Sequence, residues 1–177
     1  MILRGKPDSA RPRVWLEISK EKLRANLQRI CEYVAPAQVM AVLKADAYGL
    51  GVAAVAQILA GNGVACFGVA EVNNAMAIKP LGVPVHILGA LIDEEVHAVV
   101  QEGFVAPVTD LRIAELLSRE ALHLGRRARV QFKIDTGMGR LGIWHEDALE
   151  VMLKAAALPG LEVVGIYSHF PHAYGDY

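Results

Sequence analysis

The stretch VMAVLKADAYGLG, residues 39–51, places a short apolar run, a lysine and a glycine-rich turn in direct succession. An apolar run of this length bounded by turn residues is typical of a buried β-strand. A strand that is apolar at every position is covered on both faces, as in a parallel sheet packed between helices. Apolar residues at helical spacing follow Gly51. The stretch therefore predicts a strand followed by a helix, which is the repeating unit of an α/β fold.

The same unit recurs along the chain. After the first strand at 39–44, apolar runs rich in Val and Ile predict further strands at 64–70, 85–88, 105–108, 129–134 and 163–169. Apolar residues at three- and four-residue spacing predict helices at 19–34, 51–61, 72–81, 94–102, 110–124 and 146–158. The sequence thus contains about six βα units.

Two α/β architectures compete for this pattern. A doubly wound sheet usually has its glycine-rich turn directly after the first strand, whereas here Lys44 comes first. A barrel gathers functional residues from the carboxyl ends of several strands, and polar residues close three predicted strands here: Lys44, Lys133 with Asp135, and His169. We therefore predict a TIM-type (β/α)8 barrel. Because such barrels take about 250 residues, we expect this chain of 177 residues to contain an incomplete one.

Composition and charge narrow the class of partner. Apolar residues make up 54% of the chain, enough for a sizeable core, and the formal net charge is -1 with both signs interspersed. There is no basic stripe that could bind nucleic acid and no apolar run of about 18 residues that could span a membrane. The opening residues 1–15 lack a signal-peptide pattern. We expect a cytoplasmic protein whose partner is a small molecule.

Lys44 is the first candidate for chemistry. A lysine that ends a buried strand beside an apolar cavity has its ammonium form disfavoured, and the neutral amine can attack an aldehyde to form a Schiff base. Gly49 and Gly51 could offer backbone N–H groups to a phosphate at the start of the next helix, with the Tyr48 hydroxyl as a further donor. On spacing alone, a solvated lysine before a flexible turn remains the competing interpretation.

Two further segments carry polar residues at strand ends. KIDTGMGRLG, residues 133–142, presents Arg140 in a glycine-rich loop, where its guanidinium could bind a carboxylate or phenolate. GIYSHF, residues 165–170, ends its strand at His169. A solvated loop arginine and a structural histidine are the alternatives. His172 follows, but the segment lacks the other ligands of a metal site, and we predict no metal.

The three segments together resemble the hallmark motifs of the alanine racemase family, which are pyridoxal-phosphate (PLP) enzymes of fold type III. VLKADAYGLG is similar to the family's PLP-attachment signature, and KIDTGMGRLG and GIYSHF are similar to its two other motifs in the same order. The opening WLEI, residues 15–18, and FGVA, residues 67–70, also fit. The resemblance covers essentially the whole chain and implies the N-terminal barrel domain of such an enzyme.

The resemblance implies a role for each residue. Lys44 would bind PLP covalently and act as one of two catalytic bases, and Tyr48 would bind the cofactor phosphate. Arg140 would contact the phenolic oxygen of PLP and the substrate carboxylate. Lys133 matches the lysine that is often carbamylated in the family, and His169 would lie beside the cofactor ring. The implied reaction interconverts L- and D-alanine for peptidoglycan precursors.

The resemblance also implies what this sequence does not contain. In the family, the second base is a tyrosine from the C-terminal β domain of the partner subunit, so a complete protein would be a homodimer. Over residues 1–177 we expect only the partial barrel domain, without racemase activity of its own. Leu50 replaces a histidine that is usual in the first motif, and Asn73 and Asn74 replace acidic residues.

Two alternatives to alanine racemisation remain open. One is racemisation of another amino acid such as serine, and the other is a non-catalytic PLP-binding barrel protein. The second is disfavoured because that group lacks the Ala-Asp-Ala-Tyr-Gly continuation after its lysine and the loop that carries Arg140 here.

Overall fold

The computed structural model describes residues 14–172 of the chain. Its helices are α1 (Lys20–Val34), α2 (Lys44–Gly49), α3 (Val52–Leu59), α4 (Val72–Ile78), α5 (Val96–Glu102), α6 (Leu111–His123) and α7 (Ala148–Ala156). Its strands are β1 (Val39–Val42), β2 (Val64–Val69), β3 (Val85–Ile87), β4 (Ala106–Val108), β5 (Ala128–Asp135), β6 (Ile143–Trp144) and β7 (Leu161–Ser168). The segment 1–13, which holds most of the region expected to lack a signal peptide, lies outside the described residues.

The main strands are parallel neighbours in chain order. β1 pairs with β2, β2 with β3, β4 with β5, and β5 with β7. The Ile87 N–H donates to the Val105 carbonyl at 2.9 Å, and this bond joins β3 to the residue before β4. The two-residue β6 lies beside the end of β5. Parallel strands in sequential order with helices between them form the repeating arrangement of a βα barrel.

The predicted alternation of strands and helices is confirmed, with element ends shifted by a few residues. Closure into a barrel is not seen: within residues 14–172, β1 and β7 are the two outer strands of the run and do not pair with each other. Neither β6 nor α2 was expected. The first predicted strand, 39–44, was wrong at its end because the backbone leaves the sheet after Val42 and Lys44 begins α2.

The core lies between the helices and the outer face of the sheet. Alternate strand residues such as Phe67, Ile87 and Val130 are fully buried there, and they pack in one cluster with helix residues such as Ile78 and Leu117. Because side chains alternate along a strand, the residues between them face the inner side of the sheet. No helix in the described range is long and apolar enough to cross a membrane.

β7 is covered poorly for a strand of a parallel sheet. Val163, Val164 and Ile166 are 42%, 37% and 62% exposed, although strands of such sheets are normally buried on both faces. Within residues 14–172 its second edge carries no strand partner. An unpaired edge beside exposed apolar side chains favours association with another chain segment.

The contact between α6 and the start of β7 gives a stability prediction. A Cβ at Gly160 would lie 2.2 Å from the Ser118 carbonyl oxygen of α6, and the Gly160 N–H donates to the Ser118 hydroxyl at 3.1 Å. Gly160→Ala should lower the free energy of unfolding by about 1–3 kcal/mol, because backbone atoms cannot yield to the new methyl group. Urea unfolding of the chain measures the change.

The matched control is Gly165→Ala in β7, where an added Cβ meets nothing within 4 Å. This variant should unfold at the same urea concentration as the wild type or at a slightly higher one, since Ala restricts the unfolded chain more than Gly does. Equal unfolding midpoints for the two variants would contradict the packing described for Gly160.

Candidate active site

The inner face of the sheet opens into a cavity of about 580 Å³ at the carboxyl ends of the strands. All five site residues predicted from the sequence line it: Lys44, Tyr48, Lys133, Arg140 and His169. They come from three separate segments of the chain. Their convergence confirms that these segments meet in one place, while the role of each residue stays a prediction.

Lys44 and Tyr48 are placed by an unusual backbone conformation. The four residues 45–48 have φ between 51° and 58° and ψ between 37° and 50°, which is a left-handed helical turn. This conformation costs roughly 1–2 kcal/mol per non-glycine residue. The turn brings both side chains to the cavity, with the Lys44 Nζ 5.9 Å from the centre of the Tyr48 ring.

The expectation that the Gly51 N–H is free for a phosphate was wrong, and so was the expectation that Lys44 is desolvated. The Gly51 N–H donates to the Asp46 carbonyl at 2.9 Å, and the Val52 N–H donates to the Asp46 carboxylate at 2.7 Å. The start of α3 is therefore capped from within the chain, and these donors are not available to a phosphate. Lys44 is also exposed at the cavity mouth, because the strand ends before it and the turn carries it outward.

Lys133 occupies the desolvated position expected for Lys44. It is 5% exposed, and its Nζ donates to the Ile134 carbonyl at 2.8 Å and lies 5.7 Å from the centre of the Tyr167 ring. Burial lowers the pKa of Lys133 below its usual range; nearby Asp135 opposes this shift, and the Arg140 guanidinium adds to it. A buried ammonium beside a guanidinium is an unfavourable combination that neutralisation of the lysine relieves.

The loop that carries Arg140 is held by Asp135. The buried Asp135 carboxylate accepts the N–H groups of Gly137 at 3.0 Å and Gly139 at 3.1 Å. These bonds lower the pKa of Asp135. Gly142, at φ 116°, ends the loop just before β6 and lies against β5. A Cβ at this position would lie 2.7 Å from the Lys133 carbonyl oxygen. Gly142 therefore serves a close backbone approach that the sequence alone only suggested, whereas a Cβ at Gly139 would meet nothing within 4 Å.

His169 follows the end of β7 and is exposed at the cavity. The preceding Ser168 hydroxyl lies 2.7 Å from the Thr136 hydroxyl and donates to the Ile134 carbonyl at 2.9 Å. These bonds join the end of β7 to the end of β5. They hold the two loops that carry His169 and Arg140 side by side.

Sequence reasoning missed the floor of the cavity. Tyr167 lines it, donates its hydroxyl to the Leu88 carbonyl at 3.3 Å, and has a pKa raised by burial. Gln131, also in the lining, is buried with its side-chain oxygen 3.0 Å from the His86 Nδ1. Gln131 lies two positions before Lys133 within β5, and Tyr167 lies two positions before His169, which directly follows β7. Because side chains two residues apart on a strand face the same side, the residues two positions before Lys133 and His169 could have been predicted to face the cavity.

The cavity is suited to an anionic ligand with an apolar body. Three of its lining side chains are cations by residue type, namely Lys44, Lys133 and Arg140, and in the described part of the chain no carboxylate lines it. Its apolar surface comes from Met40, Val42, Ala70, Leu88 and Leu141. The Tyr48 hydroxyl adds a donor. No group of three His, Cys, Asp or Glu side chains within residues 14–172 could hold a metal ion.

Comparison with known proteins decides the family. The family model described as alanine racemase, N-terminal domain, matches residues 18–177. The chain belongs to the alanine racemase family. The alanine racemase of Clostridium perfringens is 36% identical over 160 residues, which cover 89% of this chain and 42% of that protein.

Solved alanine racemases have the same arrangement of strands and helices. The enzyme of Clostridium difficile 630, in complex with cycloserine, matches with a TM-score of 0.80 at 29% identity over 85% of this chain and 42% of its own. The enzyme of Bartonella henselae, with covalently bound pyridoxal phosphate, matches with a TM-score of 0.78 at 26% identity over 86% of this chain and 45% of its own. The chain thus spans well under half the length of these relatives.

The bonds to Asp135 give a prediction about pH. Because the folded-state pKa of Asp135 lies below the unfolded value of about 3.9, its ionised form stabilises the fold above that unfolded pKa. This stabilisation is lost as the pH falls through the folded-state pKa. Asp135→Asn should therefore lower the unfolding free energy at neutral pH and flatten its decline below about pH 4. Chemical unfolding at a series of pH values measures both effects.

The control is Asp147→Asn, because Asp147 precedes α7 without a side-chain capping bond. In Asp147→Asn the free energy of unfolding should decline with falling pH as it does in the wild type. An Asp135→Asn profile as steep as that of the wild type would show that the two loop N–H groups do not stabilise the carboxylate.

Proposed function

We propose that this chain supplies the PLP-binding part of an amino-acid racemase that acts on alanine. One arrangement carries the proposal: Lys44 from the β1 side and Arg140 from the β5 side line the same cavity, which lacks carboxylates in the described residues. Membership in the alanine racemase family supports this interpretation. Solved relatives that hold pyridoxal phosphate or cycloserine support a small, polar ligand for this chain.

The residues at the cavity fit PLP by their chemistry. PLP combines a flat aromatic ring with an aldehyde, a phenolic oxygen and a phosphate. Lys44 would hold the aldehyde carbon covalently, and Tyr48 would donate its hydroxyl to the phosphate. Arg140 would bind the phenolic oxygen through its planar guanidinium, and His169 would lie beside the ring. The apolar lining supplies the surface that an aromatic ring needs.

The proposed chemistry divides between cofactor and protein. PLP, when bound, supplies the electron sink that allows the weakly acidic Cα proton of an amino acid to be removed. Arg140 binds the substrate carboxylate and thereby orients the Cα–H bond. Lys44 accepts that proton or returns it on one face of Cα as a general base. The water-accessible position of Lys44 at the cavity mouth leaves its amine free to approach a bound substrate.

Racemisation needs a second base on the opposite face of Cα. The chain covers well under half the length of its relatives, and the family resemblance implies a tyrosine from a partner subunit. We therefore propose that the second base comes from sequence outside these 177 residues, in a homodimer. This chain by itself should bind PLP without racemising alanine.

Lys133 is proposed to act on Arg140 through carbamylation. Its neutral amine can add to carbon dioxide, which forms an N–C bond, releases one proton and leaves a negative charge. Burial lowers the pKa of Lys133 and so increases the reactive neutral fraction. The product would turn the repulsion between Lys133 and Arg140 into attraction and orient the guanidinium for the cofactor and substrate.

The first test is covalent trapping of PLP by borohydride reduction, followed by peptide mapping. The wild-type chain should carry the reduced adduct on Lys44. Lys44→Ala should reduce labelling to background, because Lys133, the other amine in the cavity lining, is buried and donates to the Ile134 carbonyl. Lys154→Ala is the control, since Lys154 pairs with Glu150 on the surface of α7. Labelling spread over surface lysines would contradict the site.

The reaction itself is tested by measuring the D-enantiomer formed from L-alanine and, in parallel, from L-serine. We expect the complete protein to racemise alanine in preference to serine, and the 177-residue chain to racemise neither. Preference for serine would overturn the substrate, and turnover of neither by the complete protein would overturn the racemase assignment. Racemisation by this chain as a monomer would contradict the need for an external base.

Carbamylation is tested by carbon-13 NMR in labelled bicarbonate. A carbamate resonance should appear in the wild type and be absent in Lys133→Ala, while Lys154→Ala should retain it. The signal should weaken as the pH falls, because protonation of the lysine removes the amine that reacts. A resonance that survives in Lys133→Ala would assign the carbamate to a different amine.

A further inference from the structure

We infer that Asp46 is a positioning residue that holds Lys44 and Tyr48 at the cavity by clamping the left-handed turn α2 to helix α3. The inference rests on the proposed function, since it concerns the placement of the residues that would hold PLP. Asp46 is not among the residues that line the cavity. Its influence on a bound cofactor therefore acts through the backbone of the turn.

The turn cannot hold its own conformation. Residues 45–48 are left-handed over their whole length without a glycine among them, and L-residues disfavour this region at each position. A strained segment of this kind persists only where surrounding structure determines it. In the described chain, contacts with β2 and with α3 hold the turn in this conformation.

One end of the turn is tied to the sheet. The Leu43 N–H donates to the Gly68 carbonyl of β2 at 2.7 Å, and the Ala47 N–H donates to the Leu43 carbonyl at 3.0 Å. Leu43 and Ala47 are both buried. These bonds fix where the turn begins, and they leave its far end to be held by other contacts.

Asp46 ties the far end to α3 with two oxygens. Its carbonyl accepts the Gly51 N–H at 2.9 Å, and its carboxylate accepts the Val52 N–H at 2.7 Å. Val52 is the first residue of α3, and α3 is anchored in the core by Val55 and Leu59. The carboxylate thus connects a strained turn to a firmly packed helix.

The residues that depend on this clamp lie on either side of it. Lys44 and Tyr48 are each two positions from Asp46, and both are exposed. Because their side chains are not packed in the core, their positions follow the backbone of the turn. Releasing the clamp should therefore disturb cofactor binding more than it disturbs the fold.

Asp110 offers a matched control for simple helix capping. Its carboxylate accepts the Ile113 N–H at 2.9 Å and caps α6, and it does not line the cavity. Asp110→Ala and Asp46→Ala each remove one capping carboxylate of the same kind. If only Asp46→Ala weakens PLP binding, the effect comes from the place of Asp46 beside the cavity residues. If both variants melt at a lower temperature, that change comes from the loss of a helix cap.

The experiment compares PLP affinity, melting temperature and amide hydrogen exchange in four variants of this chain. Asp46→Ala should bind PLP roughly five- to tenfold more weakly, the ratio that corresponds to the loss of one helix cap. Asp46→Asn should stay close to the wild type, because its amide oxygen can still accept the Val52 N–H. Asp110→Ala should melt earlier with unchanged PLP affinity.

Val52→Pro removes the donor of the hydrogen bond between the Val52 N–H and the Asp46 carboxylate, whereas Asp46→Ala removes the acceptor. Proline is favoured at the first helical position, so this variant should fold even if Asp46→Ala does not, and it should weaken PLP binding to the same extent. Amides 45–52 of the cofactor-free chain should exchange faster in both Asp46→Ala and Val52→Pro.

The outcomes separate the positioning role from the proposed function. If Asp46→Ala and Val52→Pro bind PLP like the wild type, or if Asp110→Ala weakens binding equally, the positioning role is overturned and the function stands. If the wild type itself takes up no PLP, the function is overturned. In that case the hydrogen-exchange rates of amides 45–52 test the clamp without PLP. Rates in Asp46→Ala and Val52→Pro equal to those of the wild type would overturn it.

Discussion

The parallel direction of every paired strand is the constraint on which the site depends. Parallel strands in chain order present all their carboxyl ends at one edge, so the residues that follow β1, β5 and β7 meet there. Direct pairing of Lys133 with Tyr167 across β5 and β7 sets the register of that edge. Residues separated by more than a hundred positions thereby come to line one cavity.

Two aspartate carboxylates, those of Asp46 and Asp135, fix the backbone of the two loops that carry site residues. Asp46 lies in the turn after β1 and Asp135 is the last residue of β5. The Asp46 carboxylate accepts the Val52 N–H, and the Asp135 carboxylate accepts the N–H groups of Gly137 and Gly139. Charge-assisted bonds of this kind are short and strong, and they set the path of the backbone rather than contact a ligand. The glycines nearby supply the dihedral angles that such tight returns require.

The two lysines of the cavity occupy opposite environments for a geometric reason. Lys133 lies inside a strand, where the alternation of side chains directs it inward to the floor beside Tyr167. Lys44 follows a strand that has already ended, and the left-handed turn carries it to the mouth. Burial accordingly lowers the pKa of Lys133, whereas Lys44 remains accessible to a ligand that enters from solvent.

The sequence by itself determined the order of the strands and helices apart from α2 and β6, the parallel class of the sheet, and the five residues that line the cavity at its edge. These follow from local apolar periodicity and from polar residues at strand ends, which are properties of neighbouring positions. Only the tertiary structure decided the handedness of residues 45–48, the capping of α3 by Asp46, and which lysine is desolvated. The turn depends on the bond from the Leu43 N–H to β2, and the burial of Lys133 depends on Tyr167 of β7. The cap depends on the path of the turn, which brings the Asp46 carboxylate to the Val52 N–H. Local apolar periodicity encodes none of these contacts.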